Sequence, residues 1–236
     1  MHWDIAHQTH PGSRQENEDA FAIQREETSL TAILADGLGG HGNGRRAADC
    51  VVNAAQSGAS PRDCIAAAQR ALLAEIDAHP ECARMRSTAV VLRLEGGQAS
   101  WAHCGDTRLY YFQAGVFSGR TLDHSVPQML ALAGDIQDDD IRRHEDRNKL
   151  LSALGEPKPK IEDNAAPVQL ALGDAFLMAT DGLWEHFSNG ELVDTLRQSA
   201  TAADWLQTLC SMIQARFSEN QDNYTALAIR ILEEAR

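Results

Sequence analysis

The sequence predicts an α+β protein whose strands pair in an antiparallel manner. Between residues 87 and 119, short apolar runs alternate with polar or glycine-containing segments such as 95–98 and 105–108, which is typical of strands joined by hairpin turns. The segments 45–57 and 61–78 instead carry apolar residues at helical spacing. Because these helices are apolar on one face, we expect them to pack against a sheet.

The length and composition are those of a globular protein with one core. The chain has 236 residues, of which 43% are hydrophobic and 23% charged, and we predict a single domain over residues 1–236. The formal net charge of −13 disfavours binding to nucleic acid or to an anionic membrane. Several acidic residues that converged on metal ions would offset part of this charge.

The cysteine content and the N-terminal residues predict a cytoplasmic protein. The five cysteines form no C-x-x-C pair, and an odd number cannot all form disulfides, which favours free thiols in a reducing compartment. Residues 1–5 contain no apolar segment of the kind that a signal peptide requires. No apolar run approaches the roughly 20 residues needed to span a bilayer, so we expect no membrane partner.

The first third of the chain predicts three strands around a polar segment. Strands are expected at 3–6, 20–25 and 30–35, the last as a buried strand because it is continuously apolar. The polar segment 12–19 has two interpretations. It is either a solvated turn or a phosphate-binding loop, since Arg14 offers a planar donor suited to phosphate.

Residues 123–154 form a polar, charge-rich segment that differs from the rest of the chain. It contains three consecutive aspartates at 138–140 and mixed charges at 142–147. Such a run is most often a solvated surface helix. The alternative is a flap beside an active site, since binding segments tend to be polar and loosely packed, and we predict a flap at about 123–154.

The last third of the chain predicts three strands and two helices. The strands are expected at 168–172, 175–179 and 224–232, and the helices at 189–199 and 203–217. With the two earlier helices, this gives four helices around antiparallel strands. The sequence contains no internal repeat and no low-complexity tract.

Four aspartates at the ends of predicted strands indicate one shared metal site. Asp36 follows the run 30–35 and precedes a series of glycines, which leave the backbone accessible beside its carboxylate. Equivalent positions at the edges of later runs are held by Asp106, Asp181 and Asp222. Hard cations prefer carboxylate and carbonyl oxygens. One aspartate in such a position is ordinary, whereas four suggest a common site.

Seven short motifs in a fixed order carry a family resemblance. They are R-x-x-N-E-D at 14–19, D-G-x-G-G at 36–40, G-D-T-R at 105–108, D-H-S at 123–125, L-x-x-A-L-G at 150–155, T-D-G-L-W-E at 180–185 and D-N-Y-T at 222–225. A single D-G-x-G-G is a weak signal, but seven motifs spread from about residue 12 to 229 are specific. The sequence resembles the metal-dependent protein serine/threonine phosphatases of the PP2C class, in their compact bacterial form.

The resemblance implies a four-layer fold. Two central antiparallel sheets would face each other, with a helix pair on each outer face, in an α-β-β-α sandwich. The strands and four helices predicted above agree with this arrangement, whereas the order of the layers comes from the resemblance alone.

The resemblance also implies two core ions, Mn²⁺ or Mg²⁺, in a cleft at one end of the sandwich. Asp36 would bridge the two ions, and the carbonyl oxygen of Gly37 would bind one of them. Asp181 and Asp222 would hold the other. The absence of His/Cys ligand spacing in the sequence disfavours zinc at this centre.

The resemblance assigns further roles around the core ions. Glu18 and Asp19 would act through metal-bound waters, and Arg14 would hold the substrate phosphate. Asp106 matches a residue that, with Asp181, binds a third ion in bacterial members.

One position departs from the family pattern. In many eukaryotic members a histidine directly follows D-G and is thought to protonate the leaving alcohol, but here this residue is Leu38. His41, three residues further on, is a candidate proton donor, and the alternative is a loop histidine without a catalytic role. A metal-bound water, of the third ion or of another, is a further candidate for the proton source.

The implied activity is hydrolysis of phosphoserine and phosphothreonine in proteins by a metal-activated water. Phosphate monoester hydrolysis is among the slowest uncatalysed reactions, and two ions can lower the pKa of a water for in-line attack. One alternative is an inactive relative that binds phosphoproteins, which is disfavoured because every acidic motif position is occupied. Another is a phosphatase of small molecules.

The resemblance also suggests partners. We expect phosphoprotein substrates and a Hanks-type serine/threonine kinase in the same cell, and in one scenario that kinase controls a secretion apparatus. We expect no nucleic acid and no membrane as a partner, and the protein itself is expected to be a monomer.

Overall fold

The computed structural model describes residues 2–38, 43–216 and 220–232. The strands in these residues are β1 (His2–His10), β2 (Asp19–Arg25), β3 (Ser29–Leu38), β4 (Arg86–Ser87), β5 (Ala89–Glu95), β6 (Gln98–Cys104), β7 (Arg108–Gln113), β8 (Val116–Arg120), β9 (Glu162–Asp163), β10 (Val168–Gln169), β11 (Ala175–Ala179) and β12 (Tyr224–Leu232). The helices are α1 (Asn43–Ala55), α2 (Pro61–Ala78), α3 (Val126–Ala133), α4 (Asp181–Trp184), α5 (Asn189–Gln198) and α6 (Ala202–Ala215), with 3₁₀ turns at Pro80–Cys82 and Asp138–Arg143. Within the described residues, no helix is long and apolar enough to cross a membrane.

Two antiparallel sheets form the centre of the protein. One has the strand order β1-β12-β11-β7-β8, and the other has the order β10-β6-β5-β3-β2, with β4 beside β3 and β9 beside β6. The first and last strands of the chain pair along their whole length, from His2 with Leu232 to His10 with Tyr224. This pairing brings the residues that precede β12 next to the polar segment that follows β1.

Three apolar clusters show how the layers stack. The central cluster combines inward-facing side chains of both sheets, including Leu34 and Met178. A second cluster, which includes Leu72, joins the outer face of the seven-stranded sheet to α1 and α2. A third, which includes Trp205, joins the outer face of the five-stranded sheet to α5 and α6. The prediction of an α-β-β-α sandwich with two antiparallel sheets is therefore confirmed.

Local capping signals explain where the helices begin. α2 begins after Ser60, whose side chain accepts a hydrogen bond from the backbone N–H of Asp63. α5 begins with a capping box formed by Ser188 and Glu191. The bounds of α2 and β12 agree with the sequence prediction, and those of α1, α5 and α6 differ from it by no more than two residues at either end.

The prediction that hairpin turns join the strands between residues 87 and 119 is wrong at one turn. β5 pairs with β6 and β7 pairs with β8, but β6 and β7 belong to different sheets. The segment between them therefore crosses from one sheet to the other instead of forming a hairpin. Gly105 permits this crossing because its φ is +97°, and a Cβ there would lie 2.7 Å from Cγ2 of Thr88. The crossing places Asp106 at one end of the sandwich.

Two strand predictions differ in length from the structure. The first strand is longer than predicted, because β1 pairs with β12 beyond residue 6. The strand predicted at 168–172 ends at Gln169, because the chain then turns and the carboxylate of Asp174 accepts the N–H of Ala171 at 3.0 Å.

Residues 123–154 are anchored to the fold near both ends. Ser125 pairs with Leu150, and Ser87 pairs with Leu154, through isolated β-bridges. Between these points lie α3 and the 3₁₀ turn Asp138–Arg143. The role of this segment as a flap stays a prediction.

Candidate metal centre

The residues proposed from the sequence come together in one cleft. It has a volume of about 580 Å³ and lies at the end of the sandwich where β3, β11 and the start of β12 meet. Seven of the nine predicted site residues line it: Arg14, Glu18, Asp36, Gly37, Asp106, Asp181 and Asp222. Asp19 lies beneath this surface, 2% exposed. His41 lies outside the described residues.

Asp36 and Asp19 are neighbours on paired strands. They are register partners in β3 and β2. The backbone of Asp36 is fixed on its other side by Thr88, whose hydroxyl lies 3.0 Å from the N–H of Asp36 and whose N–H donates to the Asp36 carbonyl at 2.8 Å. The sheet therefore determines the direction of the Asp36 carboxylate.

Asp19 has one satisfied and one unsatisfied carboxylate oxygen. The hydroxyl of Thr180 donates to Oδ2 of Asp19 at 3.0 Å. Oδ1 of Asp19 is buried and has no hydrogen-bond partner among the described residues. A buried carboxylate oxygen without a donor is costly, and a cation or its bound water would satisfy it.

Asp181 and Asp222 approach the cleft from the five-stranded sheet. Asp181 is the first residue of α4, directly after β11, and its Oδ1 accepts the N–H of Gly182 at 2.6 Å. Asp222 precedes β12, and its Oδ1 accepts the N–H of Asn223 at 2.8 Å. Each carboxylate is thus held by the backbone N–H of the following residue, and both residues line the cleft.

A buried group of three side chains, Trp184, Arg108 and Asp123, supports the backbone of Asp106. The indole N–H of Trp184 donates to the carbonyl oxygen of Asp106 at 3.0 Å. The guanidinium of Arg108 lies 3.4 Å from the centre of the Trp184 ring and donates to both carboxylate oxygens of Asp123. The side chain of Asp106 is 5% exposed and reaches the cleft from this support.

Glu18 and Gly37 lie where three backbone segments approach closely. A Cβ on Gly44, near the start of α1, would lie 2.4 Å from a carboxylate oxygen of Glu18. A Cβ on Gly37 would lie only 1.9 Å from the carbonyl oxygen of Gly44. The glycines are therefore required here, and the Gly37 carbonyl is placed beside the carboxylates.

The carboxylates in the cleft are buried close together and repel one another. Loss of solvent contact, followed by repulsion from Asp181, raises the pKa of Asp36 and of Asp106 well above the usual range. Loss of solvent contact is also the main cause that raises the pKa of Asp19 to about 7 and the pKa of Asp181 to about 6. For Asp181 the second cause is Asp222. A cation would relieve this repulsion.

The donor set fits a hard divalent cation. The cleft offers carboxylate and backbone carbonyl oxygens, and its lining contains no cysteine or histidine among the described residues. Mg²⁺ and Mn²⁺ prefer such ligands, whereas zinc prefers nitrogen and sulfur. The unsatisfied Oδ1 of Asp19 supports the same conclusion.

Arg14 lies on the rim of the cleft. Its side chain is 59% exposed, and its Nη2 donates to Oδ2 of Asp222 at 2.8 Å. This contact joins residues 12–19 to the carboxylate cluster. The segment therefore differs from an ordinary solvated turn. The role of Arg14 in phosphate binding stays a prediction.

Several residues that shape the site were not singled out from the sequence. The carboxamide of Asn223 accepts the N–H of Glu18 at 2.8 Å and donates to the carbonyl oxygens of Pro11 and Glu16. Thr180 bonds to Asp19, as described above. Both residues are adjacent to a predicted ligand in the T-D-G and D-N-Y motifs, and that adjacency is the signal that could have found them.

A second missed group lies on the side of the cleft formed by residues 123–154. Arg147 forms an ion pair with Glu185 at 2.9 Å, and Asn148 lines the cleft. Burial, and then the charge of Asp181, raise the pKa of Glu185 to about 7. No motif in the sequence marks Arg147 or Asn148, since their proximity to the carboxylates depends on the path of the whole segment.

Comparison with known proteins identifies relatives over most of the chain. The profile of the family described as "Protein phosphatase 2C" matches residues 8–223. The protein phosphatase PhpP of Streptococcus pneumoniae is 30% identical over 153 residues, which are 64% of this chain and 60% of the relative. This chain thus spans 60% of the length of that curated relative. The serine/threonine phosphatase stp of Listeria monocytogenes is 26% identical over 232 residues, 92% of this chain and 90% of the relative.

Solved structures share the fold. PppA, described as a key regulatory component of T6SS in Pseudomonas aeruginosa, is 28% identical, with a TM-score of 0.78 over 98% of both chains. The serine/threonine phosphatase PstP/Ppp of Mycobacterium tuberculosis is 24% identical, with a TM-score of 0.82 over 98% of this chain and 99% of its own. At that identity the second comparison supports the fold alone.

Proposed function

The chain belongs to the protein phosphatase 2C family, and from this premise we propose that it hydrolyses phosphoserine and phosphothreonine in proteins. Members of this family use divalent metal ions. One observation carries the proposal: carboxylates from both sheets converge on one cleft, where each raises the pKa of others, with Arg14 on the rim. This arrangement fits cation-assisted hydrolysis of a phosphate monoester.

We assign the ligands of the core ions to the residues nearest the ends of β3, β11 and β12. Asp36 would contribute to holding both ions, the Gly37 carbonyl would help to hold one of them, and Asp181 and Asp222 would hold the other. When bound, the ions activate a water molecule and neutralise charge on the phosphoryl group. Because the donors are oxygens, Mn²⁺ and Mg²⁺ are both suited, and we propose Mn²⁺ or Mg²⁺ as the working ions.

The surrounding residues orient and complete the centre. Glu18 and Asp19 act through water, and their positions are set by Asn223 and Thr180. Asp106, with Asp181, holds a third ion in this proposal. Leu38 lines the cleft at the position that a histidine holds in many eukaryotic members, so no imidazole is available at that position to protonate the leaving alcohol.

Arg14 binds the substrate phosphate in this proposal. Its guanidinium is exposed and close to the proposed ligands, so it is accessible to a phosphate dianion in the cleft. A planar guanidinium can donate two parallel hydrogen bonds to phosphate oxygens. Arg14 thereby orients the phosphorus atom towards the carboxylate cluster.

The substrates are phosphoproteins rather than small molecules in this proposal. The family of phosphatases and the open, partly exposed rim of the cleft both favour a large substrate. We further propose a Hanks-type serine/threonine kinase as the opposing enzyme, in the cytoplasm, with the phosphatase as a monomer. The similarity to PppA makes a kinase linked to a secretion apparatus one candidate.

The test is hydrolysis of a phosphothreonine peptide and of free phosphoserine by the full chain after chelation and after readdition of Mn²⁺ or Mg²⁺. We expect no turnover with EDTA, recovery with either ion, and a higher kcat/KM for the peptide. The Asp36→Asn variant serves as the inactive control. Activity that survives exhaustive chelation would overturn the mechanism, and equal kcat/KM for phosphoserine and the peptide would overturn the substrate class.

A further inference from the structure

A second group of metal-ligating side chains lies outside the cleft. His103 in β6 and Glu162 in β9 are register partners on paired strands, and His124 stacks on His103 with 4.8 Å between ring centroids. One ligand atom from each of these three residues lies within 4.8 Å of the others. None of the three lines the cleft described above.

Two buried nitrogen atoms in this group have no hydrogen-bond partner in the part of the chain that the structure describes. His103 and His124 are 4% and 3% exposed, and among the described residues Nδ1 of His103 and Nε2 of His124 lack a hydrogen-bond partner, Oε2 of Glu162 being 3.6 Å from the latter. Burial lowers the pKa of both imidazoles, that of His124 to about 4, so both rings are neutral near pH 7. A neutral imidazole is the form that binds metal ions.

We propose that His103, His124 and Glu162 form a binding site for a transition-metal ion such as Zn²⁺, and that occupation of this site weakens the support of Asp106. Two histidines and one carboxylate are a common zinc ligand set with room for a fourth ligand. The side chain of Glu162 is 37% exposed, so a solvent molecule can supply that ligand. The carboxylate cluster in the cleft, by contrast, suits hard cations.

The tautomer of His103 is already suited to a metal ion. Its Nε2 lies 2.8 Å from the carbonyl oxygen of Leu122, which can only accept, so Nε2 carries the proton. The lone pair of Nδ1 is therefore not engaged by any of the described residues. A ligating histidine whose other nitrogen donates to a carbonyl is the usual arrangement at metal sites.

In His124 the other tautomer is present, and the hydrogen bond that fixes it links the site to Asp106. The backbone N–H of Gly105 donates to Nδ1 of His124 at 3.1 Å, so the neutral ring carries its proton on Nε2. Coordination through Nε2 moves that proton to Nδ1, which then faces the N–H of Gly105. The ion and this hydrogen bond therefore exclude each other, and Gly105 directly precedes Asp106.

Lys160 competes with the ion for the carboxylate. Its Nζ lies 2.5 Å from Oε1 of Glu162, but its side chain is 61% exposed and free to move into solvent. Removing the ammonium group should tighten binding of a cation to Glu162. Lys158, which is also exposed, provides a matched control on the same segment.

The binding test uses Co²⁺ as a spectroscopic probe and Zn²⁺ as its competitor. They are titrated into the full chain carrying Asp36→Asn, Asp181→Asn and Asp222→Asn, so that none of the proposed oxygen-ligated ions keeps its full set of carboxylates. We expect one equivalent of Co²⁺ with the intense visible absorption of a four-coordinate ion, displaced by Zn²⁺. In this background Glu162→Gln should weaken Zn²⁺ binding at least tenfold, Lys160→Ala should strengthen it severalfold, and Lys158→Ala should leave it unchanged.

The activity test rests on the proposed function, whereas the binding test does not. With saturating Mn²⁺ and otherwise wild-type sequence, Zn²⁺ should inhibit phosphopeptide hydrolysis, Glu162→Gln should reduce that inhibition, and Lys160→Ala should increase it. If the parent shows no hydrolysis, the proposed function fails while the binding result stands. Absence of the four-coordinate spectrum, or Zn²⁺ binding that neither substitution changes, would overturn the site. Inhibition by Zn²⁺ that is equal in all variants would overturn its link to Asp106.

Discussion

Arg14 donates a hydrogen bond to Asp222 over 2.8 Å, and thereby joins the proposed phosphate-binding residue directly to a proposed metal ligand. Both side chains are about half exposed, at 59% and 42%. An ion pair with this exposure contributes only about 0–1 kcal/mol. A phosphate dianion, which offers the guanidinium two oxygens, can therefore replace the carboxylate as its partner.

From this relationship we expect Arg14→Ala to weaken substrate binding more than turnover. The loss of a charge-assisted contact should raise KM roughly 10- to 100-fold, equivalent to about 1.5–3 kcal/mol, with a smaller change in kcat. Steady-state kinetics on a phosphothreonine peptide measure both. Arg25→Ala, an exposed arginine on β2, is the control. Unchanged kcat/KM would remove Arg14 from the site, and a fall in kcat at constant KM would place its contact in the transition state.

The second prediction concerns the pH dependence of stability without metal ions. Carboxyl groups whose pKa is raised on folding stabilise the native state below their unfolded pKa, near 4, and lose that contribution as pH rises through the folded value. In the cleft this window extends to about pH 6 for Asp181 and about pH 7 for Asp19. With EDTA, Asp36→Asn should therefore unfold at a higher temperature than the parent at pH 8, and the difference should shrink by pH 5.

Thermal unfolding at pH 5, 6, 7 and 8 measures this difference. For a chain of this length, about 1 kcal/mol corresponds to roughly 2–4 °C in Tm. Asp77→Asn, an exposed position on α2, should show no such pH-dependent gain. With excess Mn²⁺ the order should reverse, since the variant lacks a ligand. A pH-independent gain in Asp36→Asn would show that repulsion among the carboxylates is not its cause.

The third prediction tests the contact between the end of β3 and the start of α1. A Cβ on Gly37 would lie 1.9 Å from the carbonyl oxygen of Gly44 and 2.9 Å from that of Glu18, and backbone atoms cannot move aside as side chains do. Gly37→Ala should therefore lower the free energy of unfolding by about 3 kcal/mol or more and abolish activity. Gly119→Ala, where nothing lies within 4 Å of the added Cβ, should change neither. Chemical denaturation is the measurement, and a stable Gly37→Ala variant would contradict this packing.

The sequence alone predicts those structural features whose signals lie close together along the chain. Ser60 and Pro61 define the start of α2 because an N-cap and its helix are adjacent in sequence, and the strand-end aspartates were found for the same reason. The change of sheet at Gly105 could not be predicted, because a tight turn looks alike whether it joins a hairpin or two sheets. The bond from Thr180 to Asp19 was missed because it connects residues 161 positions apart.

The final prediction distinguishes two roles for Asp106. An aspartate in a tight turn commonly caps the backbone, and in that case Asp106→Asn would change stability while leaving the chemistry nearly normal. The charge of Asp181 is the second cause, after loss of solvent contact, of the raised pKa of Asp106, so the two carboxylates lie close together and we expect the metal-binding role. With Asp106→Asn we expect the weakest of the Mn²⁺ sites seen by calorimetry to disappear while the tighter sites persist. We also expect kcat to fall at least tenfold, or about 1.4 kcal/mol in barrier.

The Trp184→Phe variant distinguishes the effect of the Asp106 carboxylate from the effect of the contacts that hold Asp106 in place. This substitution removes the N–H that donates to the Asp106 carbonyl but keeps the carboxylate and most of the ring beneath Arg108. We expect all Mn²⁺ sites to persist, the weakest with reduced affinity, and kcat to recover when the Mn²⁺ concentration is raised. Asp106→Asn should not recover in this way, because it lacks the ligand itself. An unchanged number of sites and an unchanged kcat in Asp106→Asn would assign Asp106 to the turn alone.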